Sequence, residues 1–399
     1  MNIAIICASP TPIPATRGGA TETMMTHLLE VNEEFMEHHF SVFSYFEKQA
    51  SLESKRFRHS TFYFYQPNIN FEKYEGLYWR FLRKISNERI YLRSSFVKWC
   101  ADIIDKSSFD IVILEGNCFH VEHMRSLLKE QKLILHMHID RLNVELKAAR
   151  RMIDACNGIF TISEFCKRRV LDVNPNVDDK VVVVKNTIDT GKFVYKGESV
   201  RNKMRQKFSV SREQKIVSYC GRLHSSKGVL ELVRSLLLLN DSNIHLLIIG
   251  SSIYLGSQKT PFISQLENEC KKLPGGVTFT GYIPQSSLPD YLSASDIAVV
   301  PSVCLEAAGN VTIEALSCGI PVVASNQGGI PEYADPKACL NVNYDDLYIE
   351  NLAKCIKELA YNQTIYKSLK SEARNVAIQY DKHRYYINFI SGIKHIINI

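Results

Sequence analysis

The segment Pro301-Ser-Val-Cys-Leu-Glu306-Ala-Ala-Gly-Asn310-Val-Thr-Ile-Glu314-Ala-Leu-Ser-Cys-Gly319-Ile-Pro321 decides how the chain is read. The apolar run from Ile297 to Val300 enters it as a strand, and a loop follows with Glu306, Gly309 and Asn310. Helical spacing then continues to Gly319, a residue suited to a helix C-cap. A helix placed this way points its unpaired N–H groups at the carboxyl end of the sheet, where an anionic phosphate is held without a basic side chain. Glu314 lies about one turn into the helix, within reach of the ribose hydroxyls of a nucleotide seated there. A helix containing Glu is ordinarily a solvated surface helix. Two carboxylates that bracket a Gly-Asn loop between a buried strand and a helix weigh as much toward function.

Outward from this segment the pattern repeats. Strands are expected at 216–220, 245–249, 277–280, 296–300 and 321–324, with helices after Lys227, around 260–272, at 286–293 and from about 310. An earlier series has strands at 2–8, 40–45, 110–114, 132–136, 158–162 and 181–184, and its first strand runs through a Pro-rich turn into Gly18-Gly19 and a helix at 20–31. The polar stretch 185–215 reads as the passage between two domains. Asp381 to Ile399 carries Tyr385, Phe389, Ile393 and Ile396 at the three-and-four spacing of one more amphipathic helix. The expectation is an α/β chain of two Rossmann-like domains with mostly parallel sheets.

Composition agrees. A chain of 399 residues, 45% hydrophobic and 23% charged, is long enough for two domains and is neither disordered nor fibrous. Its 48 Lys and Arg against 42 Asp and Glu leave a net charge of +6, too weak for nucleic-acid binding without a basic stripe and a motif. The eleven cysteines show no CxxC pair and no Cys/His metal spacing, as expected of reduced thiols in a cytosolic protein. The apolar amino terminus is too short for a signal peptide, and no run approaches the length of a membrane span.

The 301–321 segment resembles the two-glutamate signature of glycosyltransferase family 4, whose members are retaining enzymes of the GT-B fold. Ser218-Tyr-Cys-Gly221-Arg222-Leu-His-Ser-Ser-Lys227-Gly228 resembles that family's Gly-Arg…Lys-Gly element. Thr278-Phe-Thr-Gly281-Tyr-Ile-Pro284 and Gly328-Gly329-Ile-Pro-Glu332 resemble its next strand-and-turn and its following loop. Arg17-Gly18-Gly19-Ala20 resembles its amino-terminal glycine loop, and His136-Met-His138 sits about where members carry a histidine near the transferred sugar or acceptor. Phe160-Thr-Ile-Ser163 resembles a strand whose serine caps the next helix.

The resemblance implies two facing Rossmann-like domains with a cleft between them. Residues 1–185 would bind the acceptor, 186–375 the nucleotide-sugar, and a helix within 376–399 would pack back on the first domain. It also implies donor contacts from Gly18, Gly19, Arg222, Lys227, Gly309, Asn310, Val311 and Glu314, and catalytic roles for Glu306 and His138, with the register between His136 and His138 open. Arg222 and Lys227 would neutralise charge on the leaving diphosphate, so no metal and no cofactor are expected. The implied reaction moves a hexosyl or N-acetylhexosaminyl group from a UDP-linked donor to a saccharide or lipid-linked acceptor in bacterial surface-glycan assembly on the cytoplasmic side.

A sugar-nucleotide epimerase of the same fold and a catalytically silent relative remain as rivals. Gly18-Gly19 is not a Gly-x-Gly-x-x-Gly fingerprint, which argues against a dehydrogenase. Finally, Tyr78 to Trp99 interleaves Arg80, Arg83, Lys84, Arg89, Arg93 and Lys98 with aromatic residues. That pattern fits either a contact with an anionic membrane surface or core helices with solvated basic faces.

Overall fold

The computed structural model describes residues 1–87, 92–251 and 260–398, so Arg89 and Tyr91 of the basic aromatic stretch lie outside the described residues. The chain divides into two units, Met1–Asn186 with Lys382–Ile399, and Thr187–Asp381.

Seven strands form the sheet of the first unit: β1 (Asn2–Cys7), β2 (His39–Tyr45), β3 (Ser60–Tyr65), β4 (Ile111–Glu115), β5 (Lys132–His136), β6 (Gly158–Thr161) and β7 (Val181–Val183). Their spatial order is β3-β2-β1-β4-β5-β6-β7, with every pair parallel. The second unit has β8 (Lys215–Cys220), β9 (Ile244–Ile249), β10 (Val277–Phe279), β11 (Ile297–Val300), β12 (Val322–Ser325) and β13 (Cys339–Val342). Their order is β10-β9-β8-β11-β12-β13, again all parallel. Both sheets therefore reverse their winding beside their first strand, between β1 and β4 and between β8 and β11. Ligands of open α/β sheets bind in the crevice at the carboxyl ends of such a pair.

The inner strands β1, β4, β5, β9, β11 and β12 are rich in Ile, Val, Leu and Ala and almost wholly buried, as parallel sheets covered by helices require. Two were not anticipated. β3 is an edge strand of aromatic residues, Tyr63 stacking on Phe43 with centroids 4.8 Å apart; its Thr-Phe-Tyr-Phe-Tyr run was the available signal. β13 is a four-residue edge strand interrupted by Asn341.

The stretch 185–215 is not a linker. It holds the helix Gly197–Lys207 and belongs to the second unit from Thr187 onward. Its charge misleads because it is used inside: Arg201 Nη2 lies 2.8 Å and Arg205 Nη1 3.2 Å from the two carboxylate oxygens of buried Asp296. Paired and hydrogen-bonded, such charges are tolerated in an interior.

The last helix, Lys382–Asn398, joins the first unit. Tyr385, Phe389, Ile393 and Ile396 are all buried, Phe389 packing edge-on to Phe160 at 5.4 Å. Tyr386 donates to Asn32 Oδ1 at 3.0 Å. Phe389→Ala should destabilise the first unit by about 3–5 kcal/mol, seen as an earlier urea transition; an unchanged midpoint would mean that this helix is not part of the unit's core.

Candidate functional site

In the second unit, β8 ends at Cys220 and the chain turns through Gly221, Arg222 and a short 3-10 turn, Ser225–Lys227, into the helix Val229–Leu239. Gly228 joins turn to helix at φ +69°, and a Cβ there would stand 1.7 Å from the carbonyl oxygen of Pro301. Only glycine lets the loop after β8 run against the loop after β11. Val303 N–H donates to the Ser226 carbonyl at 3.1 Å, joining the two loops directly.

That closeness brings Lys227 and Glu306 into an ion pair. Ser302 Oγ donates to the same carboxylate oxygen, Oε1, at 2.8 Å, and the Cys304 thiol approaches it at 3.9 Å. Glu306 Oε2 makes no hydrogen bond among the described residues. The Glu306 backbone is fixed as well, bridging Gly328 and accepting from Gly329 N–H at 2.7 Å. Arg222 is exposed and forms no ion pair among the described residues, while its carbonyl accepts from the buried Tyr219 hydroxyl at 2.7 Å.

The helix Asn310–Ser317 starts at Gly309, with no side-chain cap and no acidic residue in its first turn. Its far end is held by Arg374, whose Nη1 donates to the Ser317 carbonyl at 2.8 Å, a cation at the negative end of the helix dipole. Gly319, at φ +72°, closes it as expected. Val311 is partly exposed at the start. Glu314, one turn on, accepts from Gln285 Nε2 at 3.1 Å. Burial pushes its carboxyl up to about 7, against the opposing pull of that hydrogen bond. The structure thus gathers Arg222, Lys227, Glu306, Gly309, Asn310, Val311 and Glu314 at the β8–β11 switch point.

In the first unit, Gly18 and Gly19 take φ +77° and +103° ahead of the helix Ala20–Phe35. The start of this helix differs from that of the other. Glu22 folds back toward it, so that a Cβ on Gly19 would stand 2.1 Å from Glu22 Oε2, and Oε1 accepts from the Thr11 hydroxyl. The chain's own carboxylate lies where an anion would otherwise sit.

His136 and His138 converge on one residue that the sequence reading did not single out, Glu115 at the end of β4. His136 Nδ1 lies 3.1 Å and His138 Nε2 2.8 Å from Glu115 Oε2. His136 is fully buried against Phe160 and Phe389, whereas His138 keeps slight exposure. The other nitrogens, His136 Nε2 and His138 Nδ1, are buried and have no hydrogen-bond partner among the described residues. Burial alone would raise the Glu115 carboxyl; the charge and hydrogen bonds of the two imidazoles outweigh it and hold it down at about 2. Burial, then His136, lowers His138.

These three donor atoms lie within 4.8 Å of one another, a span that a metal ion can bridge. The 2.8 Å contact is nonetheless shorter than the separation of about 3.3 Å between two ligands of one tetrahedral zinc, so as placed the groups are bridged by protons. The signal for Glu115 was an acidic residue ending the apolar run Ile111 to Leu114. Ser163, by contrast, has its expected structural role, accepting from Cys166 N–H at 3.1 Å.

Glu115→Ala would leave two imidazole donors without their acceptor, at a cost of about 1–3 kcal/mol each. Titrating near 2 when folded against 4.5 unfolded, Glu115 contributes stability that is present above pH 4.5 and lost as pH falls toward 2. Urea unfolding should show both the loss at pH 7 and a flatter pH dependence of the variant below 4.5. Wild-type stability in the variant would refute the charge assignment.

Comparison with known proteins places this geometry. Residues 200–376 match the family glycosyl transferases group 1. The chain is 23% identical to the spore coat protein SA of Bacillus subtilis over 83% of its own length and 82% of that protein's. Among solved structures it resembles a glycosyltransferase from Rickettsia africae, with a TM-score of 0.76, 18% identity and coverage of 100% of this chain and 98% of the other. An Anabaena protein, Alr3699/HepE, solved in complex with UDP-glucose, gives a TM-score of 0.73 at 17% identity, with 99% of both chains covered. Residues 200–376 are thus a glycosyl transferases group 1 domain, and the chain that carries it is a glycosyltransferase of the α/β GT-B fold.

Proposed function

We propose that the protein moves a hexosyl or N-acetylhexosaminyl group from a UDP-linked donor to a saccharide or lipid-linked acceptor, with retention of configuration. We place the reaction in bacterial surface-glycan assembly at the cytoplasmic face of the membrane. The observation that carries this reading is the grouping of Arg222, Lys227 and the start of the helix Asn310–Ser317 on two loops joined by Val303 and Ser226. It is supported by the UDP-glucose complex of the Anabaena protein of like fold.

In this reading Arg222 and Lys227 neutralise the diphosphate as it leaves, and the positive end of the helix at Gly309, Asn310 and Val311 adds to their effect. Lys227 does not have to be recruited during the reaction, because it is already fixed by Glu306. Glu306 spends Oε1 on Lys227 and Ser302, and Oε2 accepts a hydroxyl of the transferred sugar. Glu314 accepts the ribose hydroxyls. A carboxylate already bound to a lysine is a poor nucleophile, and retention then follows from front-face attack in which the leaving diphosphate takes the acceptor's proton. His138, with Nε2 held by Glu115 and slight exposure of its ring, lies beside sugar or acceptor in this reading and acts on turnover more than on nucleotide affinity. No metal or cofactor is needed for these steps.

A thermal-shift screen against UDP-, GDP- and ADP-sugars tests the donor class, since ligand at a hundred times its dissociation constant stabilises by about 2.7 kcal/mol. Arg222→Ala should weaken UDP binding about 10- to 100-fold by calorimetry, the worth of one charge-assisted contact. Unchanged affinity would remove Arg222 from the diphosphate site.

The raised carboxyl of Glu314 adds a pH test. Its ionised form is the stronger acceptor, so UDP affinity should rise severalfold as pH passes upward through about 7. Calorimetry of Glu314→Gln across the same range separates this step from ionisation of UDP itself. An equal step in the variant would dissociate Glu314 from the ribose.

A further inference from the structure

The helix Ile69–Ile85 is built the wrong way out for a globular protein. Phe71, Tyr74, Leu77, Tyr78, Phe81 and Ile85 are 57%, 71%, 54%, 57%, 62% and 63% exposed. At 100° per residue all six fall within an arc of about 120°. No described residue of the helix is fully buried.

Its inner face is anchored by polar contacts instead. Glu75 accepts from Ser95 N–H at 3.0 Å and Ser95 Oγ at 2.8 Å, the Arg93 guanidinium lies 5.2 Å from the Trp79 ring, and the Arg83 guanidinium 4.5 Å from the Phe119 ring. Arg83 is therefore turned inward and is no part of an outer basic face. Lys73, Arg80 and Lys84, all exposed, form one row along the edge of the apolar arc, and the helix's acidic residues, Glu72 and Glu75, lie on the other side.

We propose that this face docks on an anionic bilayer surface, with Phe71, Leu77, Phe81 and Ile85 at the acyl boundary, Tyr74 and Tyr78 at headgroup level, and the Lys73–Arg80–Lys84 row on lipid phosphates. An apolar stripe beside a basic row is the pattern of helices that lie in a membrane interface. The row is also what selects a bilayer over a second copy of the chain, which would bring the same positive charge. Among the described residues no helix is long and apolar enough to cross a membrane; this one lies on it. The end of the basic aromatic stretch from Phe96 to Trp99 takes no part, since Phe96 and Val97 are core residues.

The test is co-sedimentation of the full chain, without nucleotide, with vesicles of phosphatidylglycerol and phosphatidylcholine or of phosphatidylcholine alone. A negative result therefore leaves the sugar-transfer reading untouched. Expected is binding to the anionic vesicles that weakens as salt rises. Lys73→Ser/Arg80→Ser/Lys84→Ser should weaken it by the order of a hundredfold, at about fivefold per charge. Leu77→Ser/Phe81→Ser should abolish retention, with the thermal unfolding of both variants close to wild type because the residues are exposed. Absence of binding at low salt, equal binding to neutral vesicles, or indifference to either variant overturns the proposal. So does vesicle-independent self-association that Leu77→Ser/Phe81→Ser removes, which would assign the face to a second copy.

Discussion

The close approach of Gly228 to the carbonyl of Pro301 is the constraint from which the second unit's site follows. β8 and β11 are paired neighbours although two strands and three α-helices among the described residues separate them in sequence, so their outgoing loops emerge side by side. With any side chain at 228 these loops would stand apart, and the Ser226–Val303 hydrogen bond and the Lys227–Glu306 pair would both be lost. The chemistry needs two loops in register at one edge of a sheet. The sheet supplies the edge, and a missing Cβ supplies the register.

Much of this was legible in the sequence, and the reason is physical. Strands buried on both faces must be apolar runs, and Gly, Pro and caps must punctuate them, so eleven strands and the helices around 310 and 385 could be placed by pattern alone. Lys227 and Glu306 were recognisable through a resemblance, but their pairing was not, because residues 79 positions apart meet only through the strand order. Glu115 was missed for the same reason. It closes an apolar run and looks like the first polar residue of a loop until β5 is laid beside β4. The stretch 185–215 failed differently: Arg201 and Arg205 face inward to Asp296, and composition cannot tell a solvated charge from a paired one.

Each unit holds a buried carboxylate between two cationic or proton-donating groups, and in both the arrangement fixes orientation. Asp296, between Arg201 and Arg205, also accepts from Ile216 N–H at 2.8 Å and so ties the helix Gly197–Lys207 to the start of β8. Glu115 does for the ends of β4 and β5 what Asp296 does there. Replacing one partner of such a group strands the others in a low-dielectric interior, so these positions resist single substitutions more than their charge suggests.

The two helix starts that follow the first strand of unit one and the fourth strand of unit two show how one architecture can carry different first turns. Both present backbone N–H groups at a switch point, the geometry that attracts anions. At Ala20 the chain folds Glu22 back toward its own helix start, where Thr11 braces it, so that a carboxylate of the chain itself faces the positive end of the dipole. At Asn310 the first turn has no acidic residue and Gly309 brings no side chain, while Arg374 secures the opposite end. The helix is thus held at its far end, and in the proposed reading its start adds to the effect of Arg222 and Lys227. In the proposed reading an anion arriving there meets Lys227 already held by Glu306, so the folding of the unit has borne the cost of orienting that cation before any substrate binds.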